Sequence, residues 1–231
     1  MDIVNFINNN IPFIFAKYGD GEYNAAVRLE GGNCDGTPYT HKLGDGIIES
    51  FKYITQFPNV YIGKWTDFNG VYTYFQSLTD NKVNWENYNI LIPRSYDEFM
   101  NRALPYFKAI RHAKQNKIYI CNYTMVDLSK ELLHIDNHII VDSVNWFESN
   151  YENVKTNLFN SITEPNNTII LTSAGMGAKV LISDIHRQYP NVIIIDIGSA
   201  LDAICSNRRT RDYHYFFSDE QLTNIKNSII Q

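Results

Sequence analysis

Seven short apolar runs limit what this chain can fold into: Phe13–Ala16, Val60–Gly63, Ile90–Pro93, Ile118–Cys121, His138–Val141, Thr168–Thr172 and Val192–Asp196. Most are consecutive Ile, Val and Leu. A strand with one wet face alternates apolar and polar residues, and these runs do not. Both faces of such a sheet must be covered, which is the condition of parallel strands flanked by helices. The intervening stretches Gly46–Thr55, Tyr96–Arg111, Met125–Leu133, Tyr151–Ile162 and Ala178–Tyr189 carry apolar residues three and four apart, the spacing of amphipathic helices. Strand followed by helix, repeated, predicts an α/β fold with an open, mostly parallel, Rossmann-like sheet and helices on both faces. At 231 residues and 44% hydrophobic content, a single domain over 1–231 can bury a substantial core. Gly31–Pro38 and Thr66–Gly70 read as loops.

Charge and cysteine usage narrow the function classes. The net charge of −5 is not the basic footprint of a nucleic-acid binder. No apolar run approaches the roughly 20 residues of a membrane span, and residues 1–12 lack the charged start and long apolar run of a secretory signal. The three cysteines are odd in number and widely spaced, as free thiols of a reducing compartment are. The expectation is a soluble cytoplasmic protein with no nucleic-acid partner. The histidines show no ligand spacing, which argues against zinc.

In open parallel sheets ligands bind beyond the carboxyl ends of the strands, so the residues that follow each run carry the functional argument. The first run leads into Lys17-Tyr18-Gly19-Asp20-Gly21-Glu22, with a helix expected over Tyr23–Leu29. Gly19 and Gly21 permit backbone conformations closed to other residues, letting Asp20 and Glu22 converge. Two hard oxygen ligands suit Mg²⁺ or Mn²⁺ carrying a phosphate. The same residues equally suit a plain strand-to-helix turn with Asp20 near the helix N-terminus. After the sixth run, Gly175 and Gly177 in Ser173–Lys179 would let backbone N–H groups approach an anion at a helix start, or simply make a tight turn. After the seventh, Asp202 would accept a proton from a hydroxyl or cap a helical turn. Arg208, Arg209 and Arg211 form a basic cluster that suits bidentate contacts to phosphate or a sugar carboxylate, or equally a solvated loop. Trp65 and Asp67, after the second run, suit an acceptor platform, and Trp65 equally suits core packing.

Lys17-Tyr18-Gly19-Asp20-Gly21-Glu22 resembles the "(R/K)(F/Y)GDGE" segment of glycosyltransferases of the GT-D fold. Asp196-Ile197-Gly198-Ser199-Ala200-Leu201-Asp202 resembles that family's "DxGSxxD" segment, extended by Thr210–His214, and Arg94-Ser95-Tyr96 is similar to its Arg-(Ser)-Tyr strand end. The resemblance implies a GT-D-like fold and a metal-dependent transfer of a sugar from a nucleoside-diphosphate sugar, UDP foremost, to a glycan or other hydroxyl acceptor. It implies Mn²⁺ or Mg²⁺ on Asp20 and Glu22, and Glu22 and Asp202 as the catalytic carboxylates, with Asp202 the base. Lys17, Gly19, Gly21, Arg94, Tyr96, Ser173, Gly175, Gly177, Ser199 and Arg211 would surround the donor. Lys17 stands where Arg is more usual, keeping the charge without the planar fork. Two other readings suit an α/β chain. One is an S-adenosylmethionine-dependent methyltransferase, opposed by the lack of a Gly-x-Gly loop after the first run. The other is a non-catalytic nucleotide-binding domain.

Overall fold

The computed structural model describes residues 1–64, 70–92, 94–206 and 208–231. Among them, seven strands form one sheet with every neighbouring pair parallel. They are β1 (Ile14–Tyr18), β2 (Val60–Lys64), β3 (Asn84–Asn87), β4 (Asn116–Cys121), β5 (Asn137–Ile140), β6 (Thr168–Thr172) and β7 (Ile193–Asp196), in the order β3-β2-β1-β7-β6-β4-β5. The helices are α1 (Ile3–Asn8), α2 (Asp20–Ala26), α3 (His41–Ile54), α4 (Val71–Ser77), α5 (Tyr96–Glu98), α6 (Leu104–His112), α7 (Val126–Leu133), α8 (Trp146–Ser161), α9 (Gly177–Gln188), α10 (Asp202–Cys205) and α11 (Asp219–Ile230).

The missing alternation in the sequence is explained by two cores, one on each face. Ile14, Ala16 and Tyr18 of β1 point into one, beneath α2, α3, α4, α8 and α9. Phe13 and Phe15 point into the other, beneath α1, α6, α7, α10 and α11. In β7 Ile194 joins the first core, while Ile193 and Ile195 join the second. Side chains still alternate along each strand, but neither side meets water.

Six of the expected strands form, with small shifts of boundary; the third does not. Ile90 and Leu91 lie in a turn closed by Ile90 N–H to Asn87 O at 3.1 Å and Ile92 N–H to Asn89 O at 2.9 Å, and Pro93 lies outside the described residues. These apolar residues fill the second core without being a strand. The third strand is instead the polar Asn84–Asn87, at the sheet edge beside β2, where burial is partial. The helix expected over Tyr96–Arg111 is α5 and α6 joined by a π-helical segment, Phe99–Ala103. Pro105, which cannot donate to a helical carbonyl, stands at the junction.

The topology places the crevice. From β1 the chain passes to α2 and α3 on one face; from β7 it passes to α10 and α11 on the other. These two strands are neighbours, so their exits diverge and leave a gap at their carboxyl ends, the switch point of an open α/β sheet. No helix among the described residues is long and apolar enough to cross a membrane. Cys34, Cys121 and Cys205 are free thiols, the last two buried.

Candidate functional site

A charged cluster sits at this switch point. Lys17 is the penultimate residue of β1, Asp196 ends β7, Glu22 lies in the first turn of α2 and Lys179 in the first turn of α9; in that order they are 3%, 2%, 7% and 4% exposed. Lys179 Nζ lies 2.7 Å from Asp196 Oδ2 and 3.2 Å from Glu22 Oε1. Asp196 also accepts the Lys17 backbone N–H at 3.2 Å and the Gly198 N–H at 3.1 Å. Glu22 Oε2 accepts the Gly19 N–H at 2.9 Å. Two ammonium groups and two carboxylates therefore balance one another out of water, the condition under which buried charge is tolerated.

The two lysines are not equivalent. Burial opposes the charge on Lys179, but Asp196 and Glu22 outweigh it and hold its pKa above the ordinary lysine value. Burial likewise works to raise Asp196, yet Lys179 and Lys17 outweigh it and keep that carboxyl below the usual range. Lys17 goes the other way: burial brings its amine down to about 8, Asp196 opposing and Lys179 reinforcing the fall. Among the described residues its Nζ has no hydrogen bond or ion pair, only the Tyr88 ring with its centroid 5.5 Å away. Burial also raises the Tyr88 phenol well above its ordinary value, so that it stays neutral.

Two adjoining cavities lie here, and the first opens on this cluster. The first, of about 500 Å³, is bordered by Lys17, Asp20, Glu22, Arg94, Lys179 and Arg211, with Tyr88 and Tyr213. The second, of about 430 Å³, is bordered by Asn122, Asp142, Ser143, Ser173, Asp202 and Arg208. Gly175, Gly198, Ser199, Arg211 and the loop residues Cys34 and Asp35 form the wall between them.

The structure brings most of the sequence candidates to these cavities, several with a different task from the expected one. The helix after β1 begins at Asp20, not Tyr23, so Asp20 and Glu22 stand on its first turn. Two positions apart on a helix, their side chains diverge by about 200°. Asp20 is exposed at the rim of the first cavity, and Glu22 turns inward onto Lys179. Gly19 has φ −107 and Gly21 is not among the positive-φ residues, so neither is there for backbone freedom. Space is the reason: a Cβ on Gly19 would stand 2.9 Å from the Tyr88 hydroxyl, and one on Gly21 3.0 Å from Asn33 Oδ1. Gly175, with φ 62, does adopt the left-handed conformation. Gly177 lets α9 pack against α8, since a Cβ there would meet Trp146 at 2.8 Å.

Ser173 accepts a hydrogen bond from the Tyr119 hydroxyl at 2.7 Å and donates to Gly198 O, tying β6 to the loop after β7. Ser199 shares a hydrogen bond with the Tyr213 hydroxyl. Asp202 opens α10, and one of its oxygens accepts from the Thr210 hydroxyl. Arg94 is exposed at the cavity rim, whereas Tyr96 packs against the second core and borders neither cavity. Trp65 and Asp67 lie outside the described residues. His214 is buried as a neutral staple: Nδ1 accepts the Arg211 N–H at 3.2 Å and Nε2 meets Ser199 O at 3.0 Å. It positions the segment that carries Arg211.

Sequence reasoning gives Lys179 and Asp196 no task of their own. The signal was present, because a carboxylate closing the run Ile193-Ile194-Ile195 must find a cation. What no spacing shows is that the cation comes from the first turn of α9.

For a divalent ion, the open carboxylate at the rim is Asp20. Both Glu22 oxygens are engaged, and among the described residues no group of three or more His, Cys, Asp or Glu side chains gathers around one point. One carboxylate beside a phosphate-sized cavity still fits Mg²⁺ or Mn²⁺, which keep several waters and take their remaining ligands from substrate phosphates.

An all-parallel α/β sheet with a polar crevice at its switch point defines the class, and the arrangement here matches a glycosyltransferase fold. Three solved structures share it, each 16% identical in sequence. A selenomethionine structure of domain of unknown function 1792 has a TM-score of 0.65, covering 94% of this chain and 90% of that one. A second structure of that domain, described as a distinct glycosyltransferase fold, has a TM-score of 0.61 with the same coverage. A third, described as a new glycosyltransferase from Streptococcus sanguinis, has a TM-score of 0.63 over 96% of this chain and 94% of that one. No family model matches the sequence, and no curated protein matches it.

Proposed function

We propose that the chain is a glycosyltransferase that takes its sugar from a nucleoside-diphosphate donor, UDP foremost, and passes it to a hydroxyl of a glycan or other acceptor. The observation that carries this reading is the Lys17 ammonium, buried at the switch point, facing a cavity and lacking a hydrogen-bonded counter-ion among the described residues. Such a group has a strong preference for an anionic ligand. Arg94 and Arg211 at the same rim add planar donors suited to phosphate oxygens. A diphosphate gives Lys17 a hydrogen-bonded anion, and the fold shared with two structures described as glycosyltransferases supports a sugar beside it.

In this reading Lys17, Arg94 and Arg211 hold the diphosphate and stabilise the negative charge that grows on it as the glycosidic C–O bond breaks. Glu22 and Asp196 fix Lys179, and so the shape and charge of the cavity floor. Asp202 takes the proton of the acceptor hydroxyl as its oxygen bonds to the anomeric carbon. The bond electrons leave with the nucleoside diphosphate. Asp20, with Glu22 acting through water, would hold Mn²⁺ or Mg²⁺, which supplies further charge neutralisation on the leaving diphosphate.

A thermal-shift and hydrolysis screen of nucleotide sugars, with and without Mn²⁺, tests the proposal. The right donor raises Tm by mass action. Asp20→Ala, at an exposed position, keeps the Tm of the free protein and loses the metal-stimulated part of turnover. Full metal stimulation in that variant rules out the metal assignment. Binding of S-adenosylmethionine, with no nucleotide sugar bound, rules out the glycosyltransferase reading itself. Donor binding without turnover, whatever acceptor is offered, marks a non-catalytic nucleotide-binding domain.

A further inference from the structure

We infer that the second cavity is the acceptor subsite, built for an uncharged, hydroxyl-rich saccharide. This rests on the glycosyltransferase reading and adds to it where the second substrate sits.

The two cavities differ in chemistry. The first holds two lysines and two arginines, the groups that phosphate requires. The second has no lysine, and its carboxylates Asp35, Asp142 and Asp202 outnumber its two cations, Arg208 and Arg211. Carboxylates outnumber cations in the first cavity as well, where Asp20, Glu22, Asp35, Asp196 and Asp212 stand beside the two lysines and two arginines, so what sets the second apart is a lining of carboxylates, hydroxyls and an amide with no ammonium group. Sugar hydroxyls, each both donor and acceptor, are matched by that lining, since carboxylates accept and side-chain amides do both.

The cavity is also pre-organised. Asn122, at the end of β4, donates to Ser143 Oγ at 2.8 Å and accepts from the Thr124 backbone N–H at 3.1 Å and hydroxyl at 3.0 Å. Its amide is therefore fixed between two strand ends before any ligand arrives.

The decisive point is Asp202. It borders the second cavity and not the first. A base that deprotonates the incoming hydroxyl must stand on the acceptor's side of the anomeric carbon, and the leaving diphosphate on the other. Gly198 and Ser199 border both cavities, so the two subsites adjoin.

The test reads the two ligands separately. Ser143→Trp, at an exposed position, fills the cavity, and Asp142→Ala, also exposed, removes a hydroxyl acceptor without adding bulk. Affinity for uridine, guanosine and adenosine diphosphates is measured by calorimetry. Glucose, galactose and N-acetylglucosamine are followed by saturation-transfer NMR with the bound nucleotide present. The expected result is a saccharide signal in the unsubstituted protein that falls about fivefold or more in both variants, with the nucleotide Kd within about twofold of its original value. A roughly tenfold loss of nucleotide affinity in either variant would make this cavity the nucleoside pocket and overturn the inference. So would unchanged saccharide signals, or none in the unsubstituted protein. Absence of nucleotide binding in the unsubstituted protein, with saccharide signals intact, sinks the donor proposal instead.

Discussion

The pH dependence of donor binding is the sharpest consequence of a buried Lys17 ammonium with no hydrogen bond or ion pair among the described residues. Its amine has a pKa of about 8 in the free protein, below the ordinary 10.5, because burial disfavours the charge. A bound diphosphate favours the charged form and raises that pKa, so donor affinity is fully present below pH 8 and falls as pH rises through it. From pH 7 to pH 9 the protonated fraction drops from about nine-tenths to about one-tenth. The Kd for a nucleoside diphosphate should therefore rise about tenfold, equivalent to about 1.4 kcal/mol. Starting at pH 7 keeps the terminal phosphate, with a second pKa near 6, largely ionised throughout. Lys17→Met keeps most of the side-chain volume and removes the charge. It should weaken binding by roughly 1.5–3 kcal/mol at pH 7, the worth of a charge-assisted hydrogen bond, and flatten the pH profile. Calorimetry in buffers of different ionisation enthalpy would also detect the proton taken up near pH 8. A Kd that does not change between pH 7 and pH 9, or a profile of the same slope in Lys17→Met, refutes the reasoning.

The remaining predictions concern the scaffold of the site. Lys17→Met should stabilise the free protein at pH 7 by up to about 3 kcal/mol, seen as a higher Tm, because it removes a charge held in an unfavourable place. In the unsubstituted protein that penalty fades between pH 8 and pH 10.5, where the unfolded chain binds the extra proton, so this group makes stability rise with pH over that window. Lys179→Met should do the opposite, leaving Glu22 and Asp196 buried without their cation at a cost of about 3–5 kcal/mol in denaturant unfolding; a loss below about 1 kcal/mol would show the cluster to be wetter than it is here. Gly198→Ala puts a Cβ where Lys17 Nζ sits, at a backbone φ of 54 that side chains rarely adopt, and should cost donor affinity out of proportion to its effect on Tm.

Much of the architecture was legible in advance because one physical constraint repeats along the chain. Ile169-Ile170-Leu171 and Ile193-Ile194-Ile195 can be satisfied only by burial on both faces, and they became β6 and β7. The edge strand β3 escaped because Asn84–Asn87 is held by pairing with β2 on one side and needs little apolar content. Ile90–Ile92 misled for the converse reason, since burial of apolar side chains does not specify a strand. α11 carried a readable start, Ser218 capping Gln221 in a capping box, but weak periodicity beyond it. At the site, Asp20, Gly21 and Glu22 border one cavity with Gly198 and Ser199, yet Asp202 borders only the adjoining one and Tyr96 is turned away to the second core. That choice depends on packing across the sheet, which no local pattern records.

The sequence alone determined that this chain would make a parallel sheet covered on both sides and that its polar residues would collect at one rim. Both follow from the alternation of apolar runs and helical spacings, which are local properties. Only the tertiary structure decided that Glu22 belongs to Lys179, that Asp196 completes the pair, and that the Lys17 ammonium makes no hydrogen bond or ion pair among the described residues. Those pairings join residues as far apart in the chain as Glu22 and Lys179. They are settled by which strand ends lie side by side, and by the energy needed to bury a charge without a partner.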